Sequence, residues 1–207
     1  MNKPTWQERY AAGKAPWDIG THDFNLENVI ANTPVEPCKA LEVGCGTGDN
    51  ALWLASRGFQ VTGVDLVESA IKEALKKKDK SAVDGVSCAF LAVDFMTETV
   101  EGAPFNLVFD RGFFHVFDSV EDRSRFALNI AAHLAPGGLW LTVTGSADDP
   151  PRDTGPPRRS SHDIIAAVEH PFEILSLTTS QFETKRPKPA RAWVCLMRKR
   201  DTLLVNK

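Results

Sequence analysis

Leu41-Glu42-Val43-Gly44-Cys45-Gly46-Thr47-Gly48-Asp49 is an apolar run that breaks into three glycines at alternate positions. Such a run predicts a buried strand turning sharply into a helix, where backbone without Cβ atoms lets a nucleotide-like ligand approach closely. The dinucleotide pattern G-x-G-x-x-G/A asks for a small residue at position 49, where this chain has Asp49. Its last glycine falls one place earlier, giving G-x-G-x-G led by the acid Glu42. A glycine turn alone is a weak signal, so its flanks decide what it means.

Outward from the turn, strand-like and helix-like segments alternate from about residue 38 to residue 145. Cys38–Val43 precedes a helical stretch, Asn50–Arg57, closed by Gly58. Phe59–Asp65 alternates like a strand, and Glu68–Lys78 places Ile71 and Leu75 on one helical face. Val86–Val93 and Phe105–Asp110 read as two more strands. Phe126, Ile130 and Leu134 recur every four residues between Ser119 and Ala135, an amphipathic helix stopped by Pro136-Gly137-Gly138. Leu139–Thr144 follows as a fifth strand. Alternation of this kind predicts parallel strands with right-handed helical crossovers, an α/β doubly wound sheet.

The remainder departs from that rhythm. Asp148–Arg159 is rich in proline, glycine and charge and reads as a loop. Ser160–Val168 is helical, with Ser160 and Asp163 spaced as an N-terminal cap. Phe172–Phe182 and Ala190–Met197 are strand-like, and the linker of residues 183–189 is too short for a helical crossover. They are expected to pair antiparallel, which makes seven strands, mostly parallel with a C-terminal antiparallel hairpin.

A chain of 207 residues, 43% hydrophobic and 25% charged, fits one domain with a short extension. A net charge of −3 gives no reason to expect nucleic acid or an anionic membrane as partner. Cys38, Cys45, Cys88 and Cys195 form no C-x-x-C pair and read as reduced thiols, so no metal is expected. The first residues lack the apolar core of a signal peptide, and no apolar run approaches the roughly 20 residues of a spanning helix. The expectation is a cytoplasmic protein, monomeric or weakly dimeric.

In a doubly wound sheet, ligands sit beyond the carboxyl ends of the strands, and each strand end here carries a suitable group. The first ends in Glu42, Gly44, Cys45, Gly46 and Gly48. G-x-G-x-G led by an acid resembles the first motif of class I S-adenosylmethionine-dependent methyltransferases, whose cofactor brings a sulfonium, an ammonium and a carboxylate. The plainer reading of Glu42 is a turn cap. Asp65, followed by Leu66, closes the second strand where a carboxylate can accept both ribose hydroxyls. Asp94-Phe95 closes the third, with Asp94 suited to the adenine amino group and Phe95 to the ring, although Asp also favours turns on its own account. The run from Lys76 to Lys80 lies at a predicted helix C-terminus and reads as solvated surface.

After the fourth strand comes Asp110-Arg111-Gly112-Phe113-Phe114-His115-Val116-Phe117. Arg111 there suits an anionic substrate or a thiolate, or else an ion pair with a neighbouring acid. His115 is a candidate base or a hydrogen-bonded core residue.

With these residues the chain resembles the thiopurine S-methyltransferases and related thiol and metalloid methyltransferases. Four segments carry the likeness: Trp6-Gln7-Glu8-Arg9-Tyr10 with Gly13 and Pro16-Trp17-Asp18-Ile19-Gly20; the glycine turn; Asp110-Arg111-Gly112; and Gly155-Pro156-Pro157 ahead of a helix with Asp163. The resemblance runs from about residue 6 to residue 200. It implies an N-terminal helical lid over residues 1–33, a methyltransferase domain over 34–200 and a tail over 201–207. It implies S-adenosylmethionine as cofactor, S-adenosylhomocysteine as product and a small-molecule methyl acceptor. Trp6, Trp17 and Asp110 are expected beside the cofactor, and Tyr10, Trp17, Arg111, Phe114 and Arg158 beside the acceptor. Where many relatives have an aromatic after Gly-Pro-Pro, this chain has Arg158-Arg159, which tilts the loop towards a small anion. Lys185, Arg186, Lys188 and Arg191 add positive charge near the hairpin tip, as solvated loop side chains commonly do.

The implied chemistry is direct in-line methyl displacement. A sulfur, selenium or tellurium nucleophile that ionises near neutral pH needs no base. An oxygen nucleophile needs one, with His115 or Asp110 as candidates, so Arg111, His115 and Asp110 form the catalytic set. The rival readings are an O- or N-methyltransferase on the same fold, a non-catalytic cofactor-binding module and, more distantly, a nicotinamide dehydrogenase.

Overall fold

A computed structural model of the chain describes residues 5–13, 15–81, 87–151, 155–184 and 188–202. The expected strand start at Val86, the linker residues Lys185 and Arg186, and the tail beyond Thr202 lie outside the described residues.

Seven strands form one sheet in the order β3-β2-β1-β4-β5-β7-β6. β1 (Lys39–Val43), β2 (Gln60–Asp65), β3 (Cys88–Ala92), β4 (Phe105–Arg111) and β5 (Leu134–Gly145) run parallel. β7 (Arg191–Lys199) lies antiparallel between β5 and β6 (Phe172–Gln181), so the predicted hairpin forms. The strand order reverses between β1 and β4, and Val43 pairs with Val64 on one side and Asp110 on the other. That register brings Glu42, the glycine turn, Asp65, Asp110 and Arg111 to one edge of the sheet, at the crevice where such folds hold ligands.

The helices are α1 (Trp6–Ala11), α2 (Phe24–Asn32), α3 (Asp49–Ser56), α4 (Glu68–Lys80), α5 (Val120–His133) and α6 (Ser161–Val168), with a short 3-10 turn at Phe114–Val116. α2 starts at Asp23, whose side chain accepts from Asn25 N, the usual service of an acid at a helix N-cap. α6 carries the expected Ser160–Asp163 capping box. No helix among the described residues is long and apolar enough to cross a membrane.

Two apolar layers cover the sheet. Leu54, Phe59, Phe90, Phe109 and Leu141 fill one. Phe105, Phe114, Phe126, Trp140 and Phe172 fill the other, where Phe126 meets the rings of Phe95, Phe113, Phe117 and Trp140.

One boundary differs from the sequence reading. The helix does stop before Pro136-Gly137-Gly138, but β5 begins at Leu134 and runs through all three residues. Leu134 is buried and pairs with Phe105, whereas Leu139 pairs with Leu107, so the Pro-Gly-Gly segment is a bulge inside a strand. Gly137, at φ +67°, supplies the bend.

Gly48 shows how tightly the turn seats on the core. Its φ is +84°, and a Cβ there would lie 2.6 Å from Phe90 Cζ and 2.9 Å from Ala74 Cβ. Gly48→Ala combines backbone strain with overpacking and is expected to lower stability by about 2–4 kcal/mol in urea unfolding. A loss below about 0.5 kcal/mol, the range of neutral surface changes, would show that the turn can shift.

Candidate active site

Three left-handed glycines, Gly44, Gly46 and Gly48, turn the chain from β1 into α3. Gly44 N and Cys45 N both donate to Val64 O, at 2.8 and 3.0 Å. Asp65 fixes the turn from the next strand: its Oδ2 accepts from Gly46 N and its Oδ1 from Val67 N, each at 2.9 Å. Each carboxylate oxygen keeps a second lone pair for a hydroxyl donor. Above the bare backbone stand two aromatics. A Cβ on Gly46 would lie 2.6 Å from Tyr10 Oη, and one on Gly44 would lie 2.7 Å from Phe113 Cδ2.

Glu42 leads into this turn from β1. It is buried; Oε1 accepts from Asn50 Nδ2 at 2.9 Å, while Oε2 has no partner. Burial is the main reason its carboxyl is pushed up from 4.5 to about 8, with Asp49 and Asp65 adding to the effect. A buried, unpartnered acid oxygen beside glycine backbone fits a ligand that brings a cation, as S-adenosylmethionine does. Cys45 in the same turn is buried with its thiol pushed well up, so it remains a thiol and serves as a small residue. Leu66, directly after β2, is 63% exposed and leaves an apolar surface at that strand end.

Asp94 makes a turn of its own, accepting from Met96 N at 3.0 Å. Phe95 does not offer its ring to the crevice. It is 2% exposed and packs on Phe126 and His133 in the core.

The segment after β4 sorts its side chains differently from the expected catalytic set. Asp110 is fully buried; Oδ1 accepts from Phe113 N and Phe114 N, and Oδ2 from Trp140 Nε1 at 2.9 Å. Burial pushes it up to about 6 while these donors pull it back. It holds the loop in shape. His115 is buried, pushed down to about 3 by burial and by Arg159 and Arg111. Its Nδ1 accepts from Gly145 N at 3.0 Å, so the neutral ring carries its proton on Nε2 and has no acceptor nitrogen left. Phe114 lies in the core beside Trp140 and Phe126, and its neighbour Phe113 covers Gly44 instead.

Arg111 is a tie as well as a cation. Its Nε donates to Asp23 Oδ2 in a short, part-buried pair, Nη1 to Trp17 O at 3.2 Å and Nη2 to Glu183 O at 2.7 Å. The guanidinium lies 5.2 Å from the Phe182 ring centroid. Three of its five N–H groups are committed in these bonds, and two remain. Arg158 Nη1 donates to Asp149 O on the loop, whereas Arg159 Nη2 reaches His115 O and Asp118 Oδ1 at 2.8 and 2.7 Å.

The N-terminal aromatics do converge. Trp17 Nε1 donates to Tyr10 Oη at 3.0 Å, Trp6 stacks edge-on against Trp17 at 5.0 Å, and Arg9 lies 5.5 Å from the Trp17 ring. Thr47 Oγ1 in the glycine turn joins Asp18 Oδ1 at 3.0 Å. Lys77, read from the sequence as surface, donates to Asp49 Oδ1 and Thr47 Oγ1, both at 2.7 Å. Sequence reasoning missed Asp23, Asn50, Phe113 and Lys77 as site residues, and among these Asp23 carried a local signal, as a capping acid before an apolar-periodic stretch.

Glu42 gives a pH dependence of definite sign. An acid raised in the fold contributes its stability fully below 4.5, and that contribution is lost as pH rises through about 8. Stability of the ligand-free protein is therefore expected to fall between pH 6 and pH 9 more steeply than that of Glu42→Gln. Urea unfolding at both pH values checks this, and parallel losses in the two proteins would refute it.

Comparisons with known proteins meet this geometry from outside. The family model described as thiopurine S-methyltransferase matches residues 1–204. The probable thiol methyltransferase 2 of Arabidopsis thaliana is 30% identical over 179 residues, covering 85% of this chain and 76% of that protein. Thiocyanate methyltransferase 1 of Brassica oleracea is 29% identical, covering 82% and 78%. The ubiquinone biosynthesis O-methyltransferase of Rickettsia canadensis is 29% identical over 59% of this chain, which spans 49% of that protein. Among solved structures, TehB from Haemophilus influenzae superposes with a TM-score of 0.69 at 20% identity, covering 94% of this chain and 67% of its own. A structure described under the conversion of a disulfide bond into a thioacetal group during echinomycin biosynthesis superposes at 0.79 and 24%, covering 93% and 89%. The chain belongs to the thiopurine S-methyltransferase family and is an S-adenosylmethionine-dependent methyltransferase.

Proposed function

We propose that the methyl acceptor is a small, soft anion, a thiol or a selenium or tellurium species that ionises without help from the protein. The observation carrying this reading is the state of His115: a neutral ring whose Nδ1 already accepts from Gly145 N. Asp110, the other candidate base, has both oxygens engaged. An oxygen acceptor needs its proton removed in the transition state, whereas a thiol or selenol near neutral pH is already partly ionised. The names of the Arabidopsis and Brassica relatives, a thiol and a thiocyanate methyltransferase, favour the same class. The O-methyltransferase relatives keep an oxygen acceptor as the second reading.

When bound, the sulfonium cofactor supplies an activated methyl group and a thioether leaving group. The chain's own residues bind, orient and shield. Glu42 offers an acid oxygen for the cofactor's cationic tail, Asp65 offers lone pairs at the end of β2, and Leu66 offers an apolar surface. Trp6, Tyr10 and Trp17 close over Gly46 and exclude water, which strengthens every charge interaction beneath them. Arg111 presents its two remaining N–H groups to an anion, and Arg159 adds a second positive charge near His115. The reacting atoms then meet by positioning rather than by proton transfer. Residues 1–33 act as the lid, residues 34–200 as the methyltransferase domain and residues 201–207 as a tail.

His115→Gln keeps a side chain able to hydrogen-bond Gly145 N. It is expected to retain activity within about threefold towards thiophenol, far from the roughly 100-fold or greater loss that removal of a general base brings. In an acceptor panel of thiophenol, thiocyanate, selenite, tellurite and phenol, methylation of phenol alone would overturn the proposal. The lid reading makes a separate prediction. S-adenosylhomocysteine is expected to protect the first 20 or so residues from limited proteolysis. Equal cleavage with and without it would remove the lid.

A further inference from the structure

We propose that Asp23 and Asn50 are positioning residues that make the placement of Arg111 depend on what the Glu42 carboxylate holds. The two halves of the site come from different strands, β1 and β4, yet one line of polar bonds joins them. Glu42 Oε1 accepts from Asn50 Nδ2 at 2.9 Å, and Asn50 Oδ1 accepts from Asp23 N at 2.8 Å. Asp23 Oδ2 then takes the Nε–H of Arg111. Each link allows one orientation. The amide of Asn50 must turn its NH2 to the carboxylate and its oxygen to the backbone N–H, because the reverse leaves acceptor facing acceptor and donor facing donor.

Asp23 is fixed from its other side too. Its Oδ1 accepts from both Asn25 N and Asn25 Nδ2 at 2.8 Å, and Asn25 Nδ2 also reaches Gln181 O at 3.1 Å. Arg111 anchors to the same neighbourhood through Glu183 O. The line therefore runs from the glycine turn, through the first turns of α3 and α2, to the hairpin, and its groups are buried or half-buried. A buried line of this kind transmits a change at one end because a broken link strands a polar group away from water.

Glu42 begins the line with its second oxygen unpartnered. A cation arriving there favours the ionised carboxylate, tightens its bond to Asn50, and holds Asp23 against Arg111. Cofactor binding thus prepares the guanidinium for the acceptor, and the cofactor binds first. The proposal rests on reading Arg111 as the cation that meets the acceptor, but its decisive test involves no acceptor.

The test is a double-mutant cycle on S-adenosylhomocysteine affinity, measured by calorimetry on the full chain with wild type, Asn50→Ala, Arg111→Gln and the double variant. Asn50→Ala is expected to weaken binding about tenfold and Arg111→Gln about threefold or more, with the double variant within about twofold of Asn50→Ala alone. Independent contributions of Asn50 and Arg111 predict multiplied losses, and multiplied losses overturn the proposal. Where Asn50→Ala does not fold, Asp23→Asn with Glu42→Gln repeats the cycle with the side-chain volumes kept, under the same criterion. In turnover, Asp23→Asn is expected to raise KM for thiophenol about tenfold with kcat within about threefold. A non-additive cycle with no methylation of thiophenol leaves the relay standing and removes the acceptor reading. An additive cycle with normal turnover does the opposite.

Discussion

A guanidinium buried at the carboxyl edge of a sheet needs an acid, and Asp23 is the acid that Arg111 finds. Losing either partner would strand the other as an unpaired buried charge, a cost of about 3–5 kcal/mol in comparable pairs. Because Arg111 also binds the carbonyls of Trp17 and Glu183, one side chain gathers the N-terminal segment, the central sheet and the C-terminal hairpin. The crevice is thus walled by three stretches of chain far apart in sequence, and its shape depends on a charge being answered.

That dependence explains what the sequence revealed and what it did not. The parallel core was legible because each strand is an apolar run and each helix a 3.6-residue repeat, both local signals. The glycine turn was legible because only glycine fits the left-handed backbone at Gly44, Gly46 and Gly48. The hairpin followed from a linker too short for a crossover. Pro136-Gly137-Gly138 misled at its far side, since the same residues that end a helix also form a bulge, and only the pairing of Leu134 with Phe105 decides between them.

At the site, Glu42, Asp65 and Asp110 lie together at the carboxyl ends of their strands, but their neighbours set their duties. Asp110 has the chemistry of a base and the surroundings of a brace. His115 is of a residue type suited to carrying protons, but burial pushes it down to about 3 and its hydrogen bond takes the lone pair it would use. Phe113 and Phe114 are indistinguishable in sequence, and the 3-10 turn sends one over Gly44 and the other into the core. Asp23 and Arg111 stand 88 residues apart, a separation at which no spacing rule operates. A candidate list drawn from local pattern recovers the scaffold of such a site before its wiring.

Tyr10 has a consequence in optical terms. It is the chain's single tyrosine, and its hydroxyl stands over Gly46 with Trp17 donating to it. Burial first and the nearby Asp65 second push its phenol ionisation upward. Ultraviolet titration of phenolate absorbance therefore reads one position, the ring that stands over Gly46. The protein carries a built-in chromophore whose alkaline shift reports on the contact of Tyr10 with Gly46 and Trp17, with no label attached.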